Sequence, residues 1–344
     1  MRFLLVSERS GGHVYPAFVI AEKIKEKDPK INKIFFFTTS AFFQKLIKNK
    51  GYITLGVVFK FRNILIELFL RFIESIYILI KVRPDYVLGF GGRDSIFLVL
   101  FSRFFTNNVY IYEPNTKMGR ANKFLAPFIK KILRGIPPQD QNKNYKLIGI
   151  PLKKDIIKAD KKIIKKRLGF NEKPVILCFG GSQGSSFVND IFFNFIQTDN
   201  NQSYQIIHIT GKNDYWRMVE LYKKINNNKI IKNFQADMAI FYNLADVVIS
   251  RAGALTLGEI CFYSIPSILI PHPSALGHQK MNADYLKEKK MAFVFEQHNF
   301  DYNKFKDCLS SLILNKTIRE NMKNNISKMK IGVSYQNFYL DFID

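Results

Sequence analysis

Apolar residues fall along this chain in short runs separated by longer stretches of helical spacing, and the alternation persists from one end to the other. Arg2–Val6, Lys33–Thr38, Tyr86–Phe90 and Val109–Tyr112 predict one series of strands. Val175–Phe179, Gln205–Thr210, Val247–Ser250 and Ser267–Ile270 predict a second. Strands that alternate with helices build a parallel sheet covered on its faces by those helices. Each series suffices for its own doubly wound sheet, so the fold class is α/β with two domains. The segment Asn142–Lys154, with Gly149 and Pro151 in its middle, is the expected linker.

One stretch departs from this rhythm. Val57–Val82 reads VVFKFRNILIELFLRFIESIYILIKV, dense in Ile, Leu and Phe but interrupted by Lys60, Arg62, Glu67, Arg71 and Glu74. Those charges argue against a membrane-spanning helix. Two readings stay open: an apolar face packed on the sheet, or a helix lying in a membrane interface with its cations at the headgroups. Phe97–Phe105 and Phe124–Lys131, rich in Phe and flanked by Arg or Lys, could extend such a surface.

Composition narrows the picture further. A chain of 344 residues, 47% hydrophobic and 23% charged, is long enough for two cores. Cys178, Cys261 and Cys308 are odd in number and far apart, with neither disulfide nor metal-ligand spacing, which favours a reducing cytoplasm. The first apolar run is too short for a signal-peptide core and reads as a buried strand. The net charge of +24 favours a polyanionic partner, either nucleic acid or the anionic lipids of a cytoplasmic leaflet. A general bias toward Lys, Asn, Ile and Phe accounts for part of it.

Three glycine-rich turns follow predicted strands. Ser10-Gly11-Gly12-His13 precedes a helix that Pro16 helps to start. Its glycines let the backbone approach a ligand, and the helix end offers N–H groups to phosphate or sugar oxygens. His13 could accept a proton from a substrate hydroxyl near neutral pH, or could simply cap the helix. The second turn, Gly180-Gly181-Ser182-Gln183-Gly184-Ser185, lacks the Lys-Ser/Thr ending of a nucleotide-hydrolysing loop and the spacing of a dinucleotide fingerprint. The third, Arg251-Ala252-Gly253-Ala254-Leu255-Thr256 with Glu259, carries the most chemistry. Thr256 and Glu259 are three apart and share a helix face. The helix start can hold a diphosphate, and a carboxylate one turn deeper can accept hydrogen bonds from two ribose hydroxyls.

With these turns in place, the chain resembles glycosyltransferase family 28. Specifically it is similar to the bacterial enzymes that add N-acetylglucosamine to the undecaprenyl-diphosphate-linked muramoyl-pentapeptide precursor of peptidoglycan. The carrying segments are SGGHVYPA at 10–17, GFGG at 89–92, EPNTKMGRANK at 113–123, GGSQGS at 180–185, RAGALTLGE at 251–259 and HQKMNA at 278–283. The resemblance implies the glycosyltransferase B architecture, two Rossmann-like domains with an interdomain cleft. Residues 1–153 would be the acceptor-binding, membrane-associating domain, joined by a C-terminal helix over 330–344, and 154–329 would bind the UDP-sugar. It further implies that Ala254, Leu255 and Thr256 hold the diphosphate, Glu259 the ribose, Ser182 the phosphate side and Gln279 the sugar hydroxyls. Gln235 would meet uracil through its backbone. Ser10, Gly11, Gly12 and Asn115 would close on the donor sugar.

The implied reaction is attack of the muramoyl 4-hydroxyl on the anomeric carbon, with inversion and release of UDP. His13 is the first candidate for base, and Glu113 is a second that could instead orient the acceptor. No Asp-x-Asp motif occurs, so no cofactor or protein-bound metal is expected. The implied setting is the cytoplasmic face of the inner membrane, peripherally bound to anionic lipids, in cell-wall synthesis serving cell shape and division.

The chain also departs from its family. Glu8 and Arg9 stand where relatives usually have glycines, Tyr112-Glu113-Pro114-Asn115 replaces His-Glu-Gln-Asn, and Lys153 replaces an arginine that would grip phosphate bidentately. Two rivals are a UDP-N-acetylglucosamine epimerase of the same architecture, which needs no lipid-facing surface, and a basic nucleic-acid-binding protein. The latter leaves the glycine turns unexplained, and no nucleic acid partner is expected.

Overall fold

The computed structural model describes residues 1–27, 31, 33–58, 63–138, 145–199, 202–273 and 277–340. It divides into two compact units, Met1–Lys153 with Tyr335–Asp344, and Lys154–Ser334.

The first unit contains β1 (Arg2–Val6), α1 (Gly11–Lys27), β2 (Lys33–Phe37), α2 (Ala41–Asn49), β3 (Ile53–Leu55), α3 (Ile64–Val82), β4 (Tyr86–Gly89) and α4 (Ile96–Phe101). After them come β5 (Val109–Glu113), α5 (Arg120–Leu125), β6 (Lys131–Arg134), β7 (Tyr145–Leu147) and β8 (Ile150–Pro151). Its main sheet runs β3-β2-β1-β4-β5-β6-β7, with every pairing parallel. Leu4, Val6, Val87, Ile111 and Ile132 from the central strands pack against Ile78, Leu79 and Val82 of α3 and Leu98 and Val99 of α4. The order reverses direction between β1 and β4, and a doubly wound sheet opens a ligand crevice at that point.

The second unit holds α6 (Lys161–Arg167), β9 (Val175–Phe179), α7 (Ser186–Thr198), β10 (Gln205–Ile209), α8 (Tyr215–Tyr222), β11 (Lys229–Lys232), α9 (Ala239–Leu244) and β12 (Val247–Ser250). The remainder is α10 (Ala254–Tyr263), β13 (Ser267–Leu269), α11 (His278–Glu288), β14 (Ala292–Val294), α12 (Tyr302–Leu314), α13 (Lys316–Ser327) and β15 (Gly332–Val333). Its parallel sheet runs β11-β10-β9-β12-β13-β14 and switches direction between β9 and β12.

All of the predicted strands form, some with an end displaced by one residue. The strands that the apolar pattern did not reveal are mostly those at sheet edges: β3, β7, β11 and β14. Half-exposed strands such as Lys229–Lys232 alternate with charge and carry no apolar run. The expected linker contains β7 and β8, and its positions 142–144 lie outside the described residues. The helix expected over 330–344 is absent from its described part. Residues 330–340 instead run as β15, a turn at 335–337 and irregular chain, and bury Ile331, Tyr335, Phe338 and Leu340. Gly332 lies so close to the Gly258 carbonyl of α10 that a Cβ there has no room, so only glycine allows this approach.

α3 inverts the usual arrangement of a surface helix. Glu67, Arg71 and Ser75 are 1–3% exposed, whereas Leu65, Phe69 and Ile80 are 71%, 63% and 56% exposed. Phe72 continues this surface edge-on to Phe97 and Phe101 of α4, and Phe101 stacks on the exposed Phe104. Among the described residues no helix is long and apolar enough to cross a membrane.

Candidate active site

In the first unit the predicted residues gather at the carboxyl ends of β1, β4 and β5. The Ser10 carbonyl accepts the N–H groups of His13 and Val14, both at 3.1 Å. The expected free-standing glycine turn is therefore the first turn of α1, and Pro16 lies inside the helix. Proline has no N–H, so the Gly12 carbonyl lacks its usual helical donor. Partly exposed His13 stands on this first turn, and the Lys153 ammonium lies 4.3 Å from the centre of the Tyr15 ring one turn face away. Lys153 thus sits at the amino end of α1, within the unit that carries His13.

Glu113 ends β5 and is 2% exposed. Its Oε1 accepts the Asn115 N–H at 3.1 Å and the Asn115 side-chain amide at 2.9 Å. Oε2 accepts the Gly119 N–H at 2.8 Å and the Asn122 amide at 3.0 Å. Asn122 also bonds the Tyr112 carbonyl, and buried Arg134 donates to the Thr116 carbonyl. The carboxylate folds the 113–122 loop around itself, and Asn115 is placed by it.

The crevice between β1 and β4 is crossed by charges. Arg9 Nη2 donates to Asp94 Oδ2 at 2.8 Å and Arg9 Nε to Thr39 Oγ1 at 3.0 Å. Glu67 of α3 lies 3.5 Å from Arg9 and accepts from Arg93 at 3.0 Å. Arg71 pairs with Glu74 at 2.6 Å and lies 3.8 Å from Asp94. The Glu8 side chain accepts the Asp94 N–H at 3.3 Å and fills the space beside Gly92, whose φ of +104° favours glycine. Burial would raise the Asp94 pKa, but hydrogen bonding from Thr39 and the charge of Arg9 outweigh it and hold the carboxyl below its ordinary range. Burial pushes Glu8 the other way, and the neighbouring Asp94 charge adds to that rise. Glu8 and Arg9 cross-brace the approach to His13.

In the second unit the two remaining glycine turns follow β9 and β12, neighbours at the switch point. The β9 turn packs directly on the turn after β10: a Cβ at Gly184 would come within 2.6 Å of the Thr210 carbonyl, and φ there is +78°. Ser182 is exposed at the tip. Ser185 caps α7 and accepts Arg251 Nη2 at 2.7 Å, so Arg251 ties the two turns together. Arg251 is 7% exposed and donates to neutral oxygens only: Ser185, Gln297 and the carbonyls of Ile270 and Pro271. Burial lowers its pKa, and among the described residues no carboxylate pairs with it. A buried cation without a counter-charge beside a helix start is suited to an anion.

α10 begins after Gly253, which provides no side-chain cap, so the N–H groups of Ala254–Thr256 face outward at the positive end of the helix. Gln279 Oε1 accepts the N–H groups of Ala252 and His272, and the Asn282 amide donates to the Ala252 carbonyl at 3.2 Å. HQKMNA therefore clamps the β12 turn from α11. Glu259 Oε2 accepts the Tyr242 hydroxyl of α9 at 2.8 Å. The Gln235 side chain accepts from Lys232 and donates to the Asp237 carbonyl. Sequence reasoning gave Arg251, the first residue of the third turn, no role of its own, and passed over Tyr242. Tyr242 is separated from Glu259 by 17 positions, and only the packing of α9 on α10 joins them.

Residues 8–134 match the model of the glycosyltransferase family 28 N-terminal domain, and residues 175–334 match that of the family's C-terminal domain. The chain belongs to glycosyltransferase family 28. A family 28 relative from Francisella tularensis subsp. tularensis, UDP-N-acetylglucosamine--N-acetylmuramyl-(pentapeptide) pyrophosphoryl-undecaprenol N-acetylglucosamine transferase, is 31% identical over 95% of this chain and 93% of its own length. The protein of the same description from Rickettsia conorii is 29% identical, covering 96% of each chain. Among solved structures, MurG of Acinetobacter baumannii superposes with a TM-score of 0.79 at 20% identity over 98% of this chain and 97% of that one. UDP-GlcNAc 2-epimerase from Neisseria meningitidis reaches 0.67 at 12% identity over 98% of both chains. These structures share the two-domain parallel-sheet fold, and the protein is a glycosyltransferase of that architecture.

Proposed function

We propose that this glycosyltransferase moves N-acetylglucosamine from UDP-N-acetylglucosamine to the 4-hydroxyl of undecaprenyl-diphosphate-linked muramoyl-pentapeptide, forming the lipid-linked disaccharide precursor of peptidoglycan. The observation that carries this reading is the β12 turn. An uncapped helix start, a buried cation lacking a counter-charge, and Glu259 one turn deeper form a row suited to the diphosphate and ribose of a UDP-sugar. The curated relatives' names supply the sugar and the acceptor.

In the proposed step His13 takes the proton of the 4-hydroxyl as that oxygen attacks the anomeric carbon from the face opposite the diphosphate. The bond to the β-phosphate oxygen breaks, its electron pair leaves with UDP, and the configuration inverts. Ser182, Ala254–Thr256 and Arg251 hold the departing charge, Glu259 the ribose, Gln235 the uracil and Gln279 the turn beneath the sugar. Glu113 acts by placing Asn115 rather than by taking the proton, because both its oxygens already accept hydrogen bonds. Ser10, Gly11, Gly12 and Asn115 close on the donor sugar, and Lys153 belongs to the acceptor side.

The apolar face of α3 supports a peripheral seat on the cytoplasmic leaflet of the cell membrane. Its Glu67 and Arg71 turn inward while Leu65, Phe69 and Ile80 turn outward, on a chain carrying +24, which suits anionic lipid. This is where the acceptor's lipid resides.

The deciding experiment supplies labelled UDP-N-acetylglucosamine with and without the undecaprenyl-linked acceptor. Label should appear in the lipid fraction only when acceptor is present. Conversion to an epimer without acceptor, and no transfer with it, would overturn the proposal.

A further inference from the structure

We propose that Tyr242 is a positioning residue for the donor's ribose, its buried hydroxyl holding the Glu259 carboxylate in the rotamer that meets the ribose hydroxyls. The inference rests on the assignment of α10 to a uridine diphosphate sugar.

Tyr242 is 2% exposed and belongs to α9. Its ring lies edge-on to Phe179 at the end of β9, with centroids 6.1 Å apart and planes at 77°. On another side it stacks on Tyr263 of α10 at 5.4 Å and 21°. A ring fixed from two directions leaves its hydroxyl little choice of aim, and that hydroxyl is 2.8 Å from Glu259 Oε2. Burial, reinforced by the Glu259 charge, raises the phenol's pKa well above its ordinary value, so the group stays a donor wherever the enzyme works.

The surrounding frame is stiff as well. Asn243, next in α9, donates to the Ile157 carbonyl at 2.9 Å and accepts the Ala159 N–H at 2.8 Å. The Tyr263 hydroxyl donates to the same Ile157 carbonyl at 2.9 Å. Both helices are thereby pinned to one segment preceding α6.

The consequence is pre-organisation. A glutamate side chain on a helix has three rotatable bonds, and ordering it on binding costs about 0.5–1.5 kcal/mol. Tyr242 imposes that order before the ligand arrives. A carboxylate accepts several donors on its two oxygens, so a bond from a phenol is compatible with bonds from ribose hydroxyls.

The test measures affinities of the full chain for UDP and for 2′,3′-dideoxy-UDP by calorimetry, in wild type, Tyr242→Phe and Tyr263→Phe. Wild type should prefer UDP. Tyr242→Phe should bind UDP about three- to tenfold more weakly, the equivalent of ordering one such side chain, while its affinity for the dideoxy nucleotide stays put. Its donor KM should rise with kcat unchanged. Tyr263→Phe, which loses the hydroxyl's bonds to Ile157 and Asn243 but leaves the Tyr242–Glu259 bond in place, should keep the wild-type preference. An equal loss for both nucleotides, or no loss for either, overturns the role of Tyr242. If wild type itself fails to distinguish the two nucleotides, the ribose role of Glu259 falls first. If wild type distinguishes them and Tyr242→Phe does so equally well, Glu259 stands and Tyr242 alone falls.

Discussion

Replacing Glu113 by Gln keeps the side chain's shape and changes one acceptor into a donor. In the native loop each carboxylate oxygen accepts from two groups, the backbone and side-chain N–H of Asn115 on one and the Gly119 N–H with the Asn122 amide on the other. Whichever way the glutamine amide turns, its NH2 faces two donors, and two bonds to a charged group are lost. Each such bond contributes about 1.5–3 kcal/mol. The site is 2% exposed, so water cannot replace them without the loop opening. Allowing for relaxation, the lower end of the sum, about 3 kcal/mol, is the expected cost to loop closure. That is about a hundredfold in the closing equilibrium. The Gly119 amide, protected by Oε2, should exchange with deuterium about a hundredfold faster in Glu113→Gln. Turnover should fall across the whole pH range because Asn115 is misplaced, and the acidic limb of the pH profile, assigned to His13, should remain. Unchanged Gly119 exchange would refute the loop-organising role. Disappearance of the acidic limb with the loop still closed would make Glu113 the base.

Four further outcomes follow from the same geometry. Gly184→Ala places a Cβ within 2.6 Å of the Thr210 carbonyl at a φ of +78°, so calorimetry should find UDP binding weakened and a lower melting temperature; wild-type values for both would mean the turn-on-turn contact is slack. Changing Leu65, Phe69 and Ile73 together to Ser removes exposed side chains that contribute about 1.5–3 kcal/mol each when buried in an apolar phase, so sedimentation with anionic vesicles should drop at least tenfold with UDP affinity intact. Equal sedimentation would remove α3 from the membrane contact. For Asp94, whose folded pKa is depressed, stability is present above the unfolded value near 3.9 and is lost as pH falls through the folded one, so Asp94→Asn should destabilise at pH 7 and differ progressively less in acid. Glu8→Gln should act oppositely, stabilising at pH 7 because the folded state disfavours the charged form, with the gain vanishing as pH falls through the carboxylate range. Melting curves of both variants across pH 3–8 check the two signs.

Much of the site could be read before any coordinates because its parts are local. A glycine turn between a buried strand and a helix start is written in consecutive residues, so RAGALTLGE and GGSQGS announced themselves. The parallel topology then placed both at one switch point. Edge strands and the C-terminal tail escaped because half-buried chain has no strong period and because the tail packs Gly332 on Gly258, a partner distant in the chain.

The sequence by itself determined the two doubly wound sheets, the glycine turns after β9 and β12 and the placing of Thr256 and Glu259 on one helix, since each depends on periodicity or spacing within a few residues. Tertiary structure decided everything that depends on which face meets which. Glu67, Arg71 and Glu74 look along the chain like the solvated side of a helix. Arg9, Asp94 and Arg93 supply partners at the crevice, so the charges turn inward and the apolar residues of α3 turn outward. Likewise Arg251 gained its place between two turns, and Tyr242 its grip on Glu259, only when separate helices packed together. Charge pairing and ring packing act through space, and sequence spacing carries no record of them.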